Sequence, residues 1–271
     1  MSILLARQFQ DYIDKDPPPN LKAPLPLPVF DNIHYKSKHS RSQAQKATCQ
    51  LIIVALFFAM RSCEYVKTPN SVHAKTKQIQ LNDVKFYDKQ RKIIRQRSPD
   101  LKTRAHLVAI TFRSQKNKEK FEMVTHVKSG NAICSVDTLV DLVQRIWSYP
   151  GTTKECFIDK FYCAALGRVG HVTSSFVTDE LKNAVITVGS DSLGISTKEV
   201  GTHSIRTSFA MLMHLNNASD STIMIKGRWK IDAFMRYIRG YIDMFGGNAS
   251  ALITNKLNGH FVSLLKNNKT D

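Results

Sequence analysis

An almost unbroken run of apolar residues, Ala47 to Met60, constrains the fold more than any other part of the chain. Its continuous part, Leu51 to Met60, is about half as long as a membrane-spanning helix, so we expect a buried helix at the centre of a soluble domain. The run ends at Arg61, and Glu64 follows three residues later. Because an isolated buried charge is too costly, these two side chains must pair with each other or hold an anion.

The net charge indicates the class of partner. The chain has 271 residues, with 39 Lys and Arg against 22 Asp and Glu, a formal charge of +17. Such an excess favours a polyanionic partner, because neutralised phosphates release their counterions. A basic ribosome-associated protein, or a basic soluble protein without such a partner, is the alternative. The length suits one large domain or two modest ones.

The cysteines and the N-terminus indicate a reducing compartment. The five cysteines are scattered without Cys-x-x-Cys spacing, and the nine histidines do not cluster with them. We therefore expect neither a disulfide framework nor a structural metal. Met1 to Ala6 is too short for the apolar part of a secretory signal. We expect a nuclear or cytoplasmic protein with no signal peptide and no membrane span.

Alternating and β-branched segments predict an antiparallel sheet in the middle of the chain. The expected strands are Ile79–Val84, Ile93–Arg97, His106–Phe112 and Phe121–Val127. The last two flank a lysine-rich loop, Arg113 to Lys120. From Lys85 to Lys120 there are twelve Lys or Arg against three acidic residues. That balance suits a DNA backbone better than a protein core.

Helical patterns follow the sheet. We expect Ser135 to cap an amphipathic helix and Ser175 to Val188 to form another, before a loop from Gly189 to Gly194. Three segments are expected: residues 1–30 are the end of a helix plus a Pro-rich linker, 31–245 are the main domain, and 246–271 are a C-terminal helix and tail. In the linker, Pro24, Pro26 and Pro28 should keep the chain extended.

A later segment places a basic pair at the start of a helix. His203 and Arg206 are three residues apart, so they project from one helical face, and Thr202 is the expected N-cap. An imidazole and a cation at a helix N-terminus suit a phosphate. A second helix is expected after Asp232, with Tyr237 in its second turn.

The order of these features resembles the tyrosine recombinase (phage-integrase-like) family, whose pattern is Arg…Lys…His-x-x-Arg…His/Trp…Tyr. The form Gly227-Arg-Trp-x-x-Asp-Ala-Phe-x-Arg-Tyr237-Ile-Arg resembles recombinases of eukaryotic mobile elements of the DIRS type. The resemblance covers roughly residues 30 to 245. It implies an α+β fold: a mainly helical catalytic domain with a small antiparallel sheet and β-hairpin.

The resemblance also implies catalytic roles. In chain order the implied residues are Arg61, Lys116, His203, Arg206, Trp229 and Tyr237. The tyrosine would attack the scissile phosphorus to give a 3′-phosphotyrosine, and the two arginines would bind the phosphate oxygens. The lysine would protonate the leaving 5′-oxygen, and the histidine would accept the phenol proton. Neither a metal nor a cofactor is needed.

Three assignments stay open. Lys118 competes for the lysine role, because the loop register is not fixed. The family usually places its His or Trp directly after a glycine and nine residues before the nucleophile; Arg228 holds that place here, and Trp229 lies eight before. Tyr241, one helical turn further on, is the second candidate nucleophile.

The implied function is that of a site-specific DNA recombinase or integrase encoded by a mobile element. Its partner would be double-stranded DNA, and the active form a homo-oligomer, a tetramer on paired sites. A relaxase similar to a type IB topoisomerase would share the chemistry without a partner protomer. An inactive DNA-binding remnant of a mobile element is the non-enzymatic alternative.

Overall fold

The computed structural model describes residues 22–67, 76–114 and 120–229. Predictions that fall on residues 1–21, 68–75, 115–119 or 230–271 lie outside the described residues. In the described part, helices pack on one another beside a four-stranded antiparallel sheet, and a two-stranded hairpin is separate from it. The prediction of a mainly helical α+β fold with a small antiparallel sheet is confirmed.

The helices of the described residues range from single turns to four turns. They are α1 (Leu27–His39), α2 (Gln43–Phe57), α3 (Ser62–Tyr65), α4 (Leu101–Arg104), α5 (Ser135–Trp147), α6 (Ser174–Val188), α7 (Ser190–Leu193), α8 (Thr202–Leu215) and α9 (Asp220–Gly227). Side-chain oxygens of Ser42, Thr173 and Ser219 cap α2, α6 and α9 by accepting a backbone N–H of the first turn. Each such cap contributes about 1 kcal/mol.

Helix α2 is the centre of the hydrophobic core. Its side chains from Ala47 to Leu56 are buried, and it packs against α1, α5, α6 and α8. Each fully buried Leu or Ile adds about 1.5–3 kcal/mol, which explains why so apolar a run takes this position. The helix ends where Ala59 adopts a left-handed conformation (φ 44°) and Met60 donates its N–H to the Ala55 carbonyl at 2.9 Å. The predicted core helix is therefore confirmed, and the chain turns sharply just before Arg61.

The larger sheet has the strand order β2-β1-β3-β4. Its strands are β1 (Val84–Tyr87), β2 (Ile93–Ile94), β3 (Leu107–Phe112) and β4 (Glu122–Val127). All neighbours are antiparallel, and β3 pairs with β4 from Leu107 opposite Val127 to Phe112 opposite Glu122. The third and fourth predicted strands are confirmed within one residue. They form a hairpin whose loop contains residues 115–119.

The first two predicted strands were wrong in extent. Half of the first one is a 3-10 turn, Leu81–Asp83, in which the Asp83 carboxylate accepts the backbone N–H of Gln80 at 2.8 Å. This side-chain bond gives the backbone an alternative to a strand. The second is shortened to two residues, because the Gln96 side chain turns back to the carbonyls of Leu81 and Val84, both at 2.7 Å.

A second, small hairpin was not predicted. Strands β5 (Lys160–Cys163) and β6 (Arg168–His171) pair around a turn that ends at Gly167, where φ is 58°. Gly170 faces the Phe161 ring, and a Cβ there would lie 2.7 Å from Cζ of that ring. The strands are only four residues long and partly buried, so they lack the alternation that marks a strand in a sequence.

Four backbone predictions near helix ends were also wrong. Pro28 is not extended but lies in the first turn of α1, where a missing N–H costs no hydrogen bond. The expected loop from Gly189 to Gly194 contains the single turn α7. Thr202 is the first residue of α8 rather than its cap, which is Gly201, and Ser135 likewise follows its cap, Cys134.

Several general features complete the fold. Across the ranges the structure describes, no helix has the length and apolar character needed to cross a membrane. All five cysteines lie in these ranges and are free thiols. The same part of the chain contains no group of three or more His, Cys, Asp or Glu side chains arranged to hold a metal ion.

Candidate active site

The turn after α2 places Arg61 beside Glu64. The backbone N–H of Arg61 donates to Oε2 of Glu64 at 2.8 Å, and its guanidinium Nη1 donates to Oε1 at 3.1 Å. The Glu64 side chain is 1% exposed and that of Arg61 is 23% exposed. Arg61 pairs with a buried carboxylate and still reaches the surface.

A second arginine, Arg228, contacts the same carboxylate from the end of α9. Its Nη1 donates to Oε1 of Glu64 at 3.0 Å and its Nη2 to Oε2 at 2.9 Å, which is a bidentate pair. Nη2 is shared with the carbonyls of Phe58 (3.1 Å) and Ala59 (3.2 Å). The guanidinium carbon lies 3.5 Å from the centroid of the Phe112 ring. Arg228 therefore joins α9 to the end of α2, to α3 and to β3.

Arg206, in α8, is a third buried arginine of this cluster. Its Nη1 donates to the carbonyl of Ala59 and its Nη2 to the carbonyl of Gly227 at 2.7 Å. The residue is 2% exposed, and its guanidinium lies 4.4 Å from the centroid of the Trp229 ring. Arg206 and Arg228 thus share one carbonyl, that of Ala59, and this brings α8 and α9 to the same turn.

The sequence Gly227-Arg228-Trp229 has a structural reason for each position. A Cβ on Gly227 would lie 1.7 Å from Cζ3 of Trp229, so the indole occupies space that only a glycine leaves free. Arg228 has a left-handed backbone (φ 55°, ψ 44°), and this turn directs its side chain inward. Trp229 packs beside Phe209, with ring centroids 5.9 Å apart. The glycine allows the indole to cover Arg206.

His203 lies in the first turn of α8, on the solvent side of the cluster. Partial burial lowers the pKa of His203 below its ordinary value, and the positive charges of Arg206 and Arg61 lower it further. At neutral pH the imidazole is therefore neutral and able to accept a proton. His203 lies one helical turn before Arg206, and Arg206 binds the Ala59 carbonyl two residues before Arg61, so the three residues lie in one part of the fold.

Three guanidinium groups surround one carboxylate in this cluster. Burial by itself raises the pKa of Glu64, but Arg228, Arg61 and Arg206 reverse the effect and hold it below its ordinary value. With Glu64 ionised, three positive charges and one negative charge leave an excess of +2. A guanidinium matches a phosphate in geometry as well as in charge. The exposed edge of the cluster, at Arg61 and His203, suits an anion.

Comparison with known proteins places this arrangement in a known fold. No protein-family model and no curated protein matches the chain. Among solved structures, the XerH site-specific recombinase bound to palindromic difH substrate, a post-cleavage complex, matches with a TM-score of 0.50 and 15% identity, over 86% of this chain and 54% of that one. The pre-cleavage complex of XerH with difH matches with a TM-score of 0.50 and 15% identity, over 86% and 53%. The chain has the tyrosine recombinase catalytic-domain fold.

A looser match is the Tn1549 transposon integrase in complex with circular intermediate DNA. Its TM-score is 0.42 and its identity 10%, over 96% of this chain and 68% of that one. The present chain spans about half the length of the XerH chain.

The base of the β3–β4 hairpin lies beside the cluster. Arg113, directly after β3, pairs through Nε with Oδ1 of Asp83 at 3.0 Å and donates from Nη2 to the carbonyl of Gln78 at 3.1 Å. These bonds fix the point where the chain leaves the sheet after β3. Lys116 and Lys118, the two candidates for the leaving-group lysine, lie outside the described residues.

The candidate nucleophiles also lie outside the described residues. Trp229 is the last residue the structure describes before Tyr237 and Tyr241. Of the six predicted site residues, the described ones are Arg61, His203, Arg206 and Trp229, and the fold brings these four together.

The sequence did not reveal that Glu64 is shared between two arginines. Arg61 and Glu64 were expected to pair with each other or to hold an anion, and Arg228 was considered only as the occupant of the His/Trp position. A buried carboxylate has about four lone-pair sites to satisfy, more than one neighbouring side chain fills. That unfilled capacity was the available signal for a second partner.

Proposed function

We propose that this chain is the catalytic domain of a tyrosine recombinase that breaks and rejoins double-stranded DNA. The observation that carries the proposal is the convergence of Arg61, His203 and Arg206 at the end of α2, with an excess of positive charge at an exposed edge. The fold shared with XerH, which was solved with its difH substrate, supports DNA as the substrate class.

In the proposed reaction Tyr237 attacks the scissile phosphorus. A bond forms between the phenol oxygen and phosphorus, the bond from phosphorus to the 5′-oxygen breaks, and a 3′-phosphotyrosine with a free 5′-hydroxyl results. Attack by that hydroxyl, or by one from another strand, reverses the step without an energy source. Arg61 stabilises the charge that develops on the non-bridging oxygens directly, and Arg206, whose Nη atoms donate to the carbonyls of Ala59 and Gly227, adds its positive charge from behind.

Two proton transfers complete the step. His203 accepts the proton of the phenol, a role for which a lowered pKa is suitable because the imidazole is then neutral at neutral pH. Lys116 donates a proton to the 5′-oxygen as it leaves, with Lys118 as the alternative donor. An unassisted phenol has a pKa of about 10, so its attack depends on this base and on the surrounding cations.

The role of the His or Trp in the tyrosine recombinase pattern belongs to Trp229 or Arg228. Trp229 covers the guanidinium of Arg206 and is 9% exposed, so its indole lies at the border of the cluster. We propose Trp229 as the residue that packs beside the phosphate.

The wider assignment follows from the sequence pattern. We propose an origin in a mobile element, with the DIRS-type branch as the nearest form, and an active homo-oligomer, a tetramer, on paired sites. A nuclear or cytoplasmic location and a reaction without metal or cofactor complete the proposal.

Covalent trapping tests the proposed function. Genomic fragments that flank the coding sequence would be nicked near the scissile position, so that the 5′-hydroxyl fragment diffuses away and the adduct accumulates. We expect a protein–DNA adduct that forms in EDTA with wild type and with Tyr241→Phe but not with Tyr237→Phe. An adduct with Tyr237→Phe but not with Tyr241→Phe would move the nucleophile to Tyr241.

The same assay separates the alternatives. DNA binding without an adduct from wild type would indicate the inactive remnant. An adduct combined with relaxation of supercoiled DNA, but without strand exchange between two duplexes, would indicate a topoisomerase-like enzyme.

A further inference from the structure

Arg228 stands where the tyrosine recombinase pattern has a His or Trp after the glycine, but its side chain is turned away from the surface. We propose that Arg228 is a positioning residue, which holds Glu64 and through Glu64 fixes Arg61 at the phosphate. The inference rests on the proposed function and adds to it a residue that acts on the reaction indirectly.

The hydrogen bonds of Glu64 are divided evenly between the two arginines. Oε1 accepts from Nη1 of Arg61 (3.1 Å) and from Nη1 of Arg228 (3.0 Å). Oε2 accepts from the backbone N–H of Arg61 (2.8 Å) and from Nη2 of Arg228 (2.9 Å). Each carboxylate oxygen therefore has one donor from each residue. The Arg61 side chain keeps 23% of its surface exposed.

Removal of Arg228 upsets this division. Each carboxylate oxygen loses one donor, and a buried anion with too few donors is costly. The nearest cation that can replace the lost donors is the guanidinium of Arg61, which would move inward onto Glu64. A donor that has left the phosphate no longer stabilises charge there.

Arg228 is not placed to contact the phosphate itself. Its side chain has no exposed surface (0%), and both Nη atoms donate to oxygens of the protein. The ring of Phe112 covers the guanidinium at 3.5 Å. A direct role would require these bonds to break and the Glu64 carboxylate to remain buried beside fewer cations.

The test is single-turnover cleavage of the trapping substrate by wild type, Arg228→Met and the double variant Glu64→Gln/Arg228→Met. Each is measured on a natural scissile phosphate and on a methylphosphonate, in which a neutral methyl group replaces one charged non-bridging oxygen. In the proposed reaction Arg61 stabilises the charge of that oxygen. A substitution that acts by displacing Arg61 should therefore slow cleavage of the neutral substrate only slightly.

For Arg228→Met we expect cleavage of the phosphate about 100-fold slower than wild type, and of the methylphosphonate less than about tenfold slower. In the double variant the neutral amide no longer draws Arg61 inward. We expect the double variant to cleave the phosphate substrate about tenfold faster than Arg228→Met does.

Arg145→Met is the matched control, because Arg145 is a buried arginine outside the site. It should slow both substrates by the same factor, and only as far as the folded fraction falls. This control also shows what a loss of folding alone does to the ratio between the two substrates.

Equal losses on both substrates with Arg228→Met would overturn the inference, and so would a double variant no faster than the single one. In either case wild type still forms the adduct, and the proposed function stands. If wild type forms no adduct on either substrate, the proposed function fails and the inference fails with it.

Discussion

Arg228 and Arg145 both pack against helix α2, but their charges are balanced in different ways. Arg228 lies at the C-terminal end of the helix and forms a bidentate pair with the buried carboxylate of Glu64. Arg145, from α5, contacts the middle of the helix through Nε, which donates to Oε1 of Gln50 at 2.8 Å. One cation has a buried anion as partner, and the other has a neutral amide.

The remaining partners of Arg145 are neutral as well. Its Nη1 donates to the hydroxyl of Tyr149 at 2.7 Å and to the carbonyl of Lys160 at 2.8 Å. Burial lowers the pKa of Arg145, as expected for a cation that is solvated only by dipoles. Such an arrangement ties α5 and β5 to α2.

A third basic residue near α2, the partly buried His126, has a different environment. Its ring packs edge-on against Phe57 and Phe58, with ring centroids 5.8 and 4.7 Å away. Burial, with the nearby charge of Lys226, lowers the pKa of His126 to about 4. Unlike an arginine, a histidine loses its proton when it is buried without a carboxylate.

The comparison indicates where the fold places charged side chains in its interior. A buried ion pair adds little net stability compared with apolar side chains of the same volume, whereas breaking one is costly. Around Arg145 and His126 the fold avoids a buried anion. Around Glu64 it assembles one carboxylate and three guanidinium groups, which is the arrangement that a phosphate-binding site requires.

The largest effect is expected when Glu64 is removed. Glu64→Leu leaves Arg61 and Arg228 without their anion, so the unfolding free energy should fall by about 3–5 kcal/mol. Urea denaturation followed by circular dichroism measures it. A decrease in unfolding free energy below about 1 kcal/mol would mean that the surroundings of Glu64 and of Arg145 do not differ in how they balance buried charge.

Replacement of His126 should change the pH dependence of stability. In the folded state its pKa is about 4, below the unfolded value of 6.5, so between these pH values the unfolded chain binds more protons. The contribution of neutral His126 to the unfolding free energy is complete above pH 6.5, and roughly 3 kcal/mol of that free energy is lost as the pH falls to 4. His126→Gln should lack this pH dependence of the unfolding free energy. Urea titrations of wild type and of the variant at several pH values measure it. Identical slopes would show that the pKa of His126 is the same in the folded and unfolded states.

Arg145→Met should have a smaller effect. The variant loses hydrogen bonds to Gln50, Tyr149 and the Lys160 carbonyl, which we expect to lower the unfolding free energy by about 1–3 kcal/mol. The rate of adduct formation per folded molecule should not change. A specific loss of cleavage would place Arg145 in the reaction and remove the contrast with Arg228.

The smallest effect is expected at the surface, where Lys38 and Lys102 both pair with Asp141. The Lys102 side chain is 60% exposed, so solvent and salt screen its pair. Asp141→Asn should cost about 1 kcal/mol or less, and the cost should shrink in 1 M salt. A cost equal to that of Glu64→Leu, unaffected by salt, would contradict the distinction between surface and buried pairs.

Strong local patterns made part of the structure predictable. The apolar run of α2, the strands β3 and β4 and the helix that carries His203 and Arg206 were expected from periodicity and capping, and the structure confirms them. The β5–β6 hairpin was missed because its short strands have no distinct pattern. Pro28 was misjudged because proline suits both an extended segment and a first helical turn.

Spacing along a helix, which is a local property, was enough to place His203 and Arg206 on one face. The fold class and the grouping of Arg61 with these two residues came from the resemblance to the tyrosine recombinase family. The path of the chain decided the partners of the buried carboxylate. Arg228 lies 164 positions from Glu64 in the sequence, and it meets that carboxylate only because Gly227 leaves room for Trp229 and a left-handed turn directs the guanidinium inward. Contacts of this kind depend on how distant segments pack, and no local pattern encodes them.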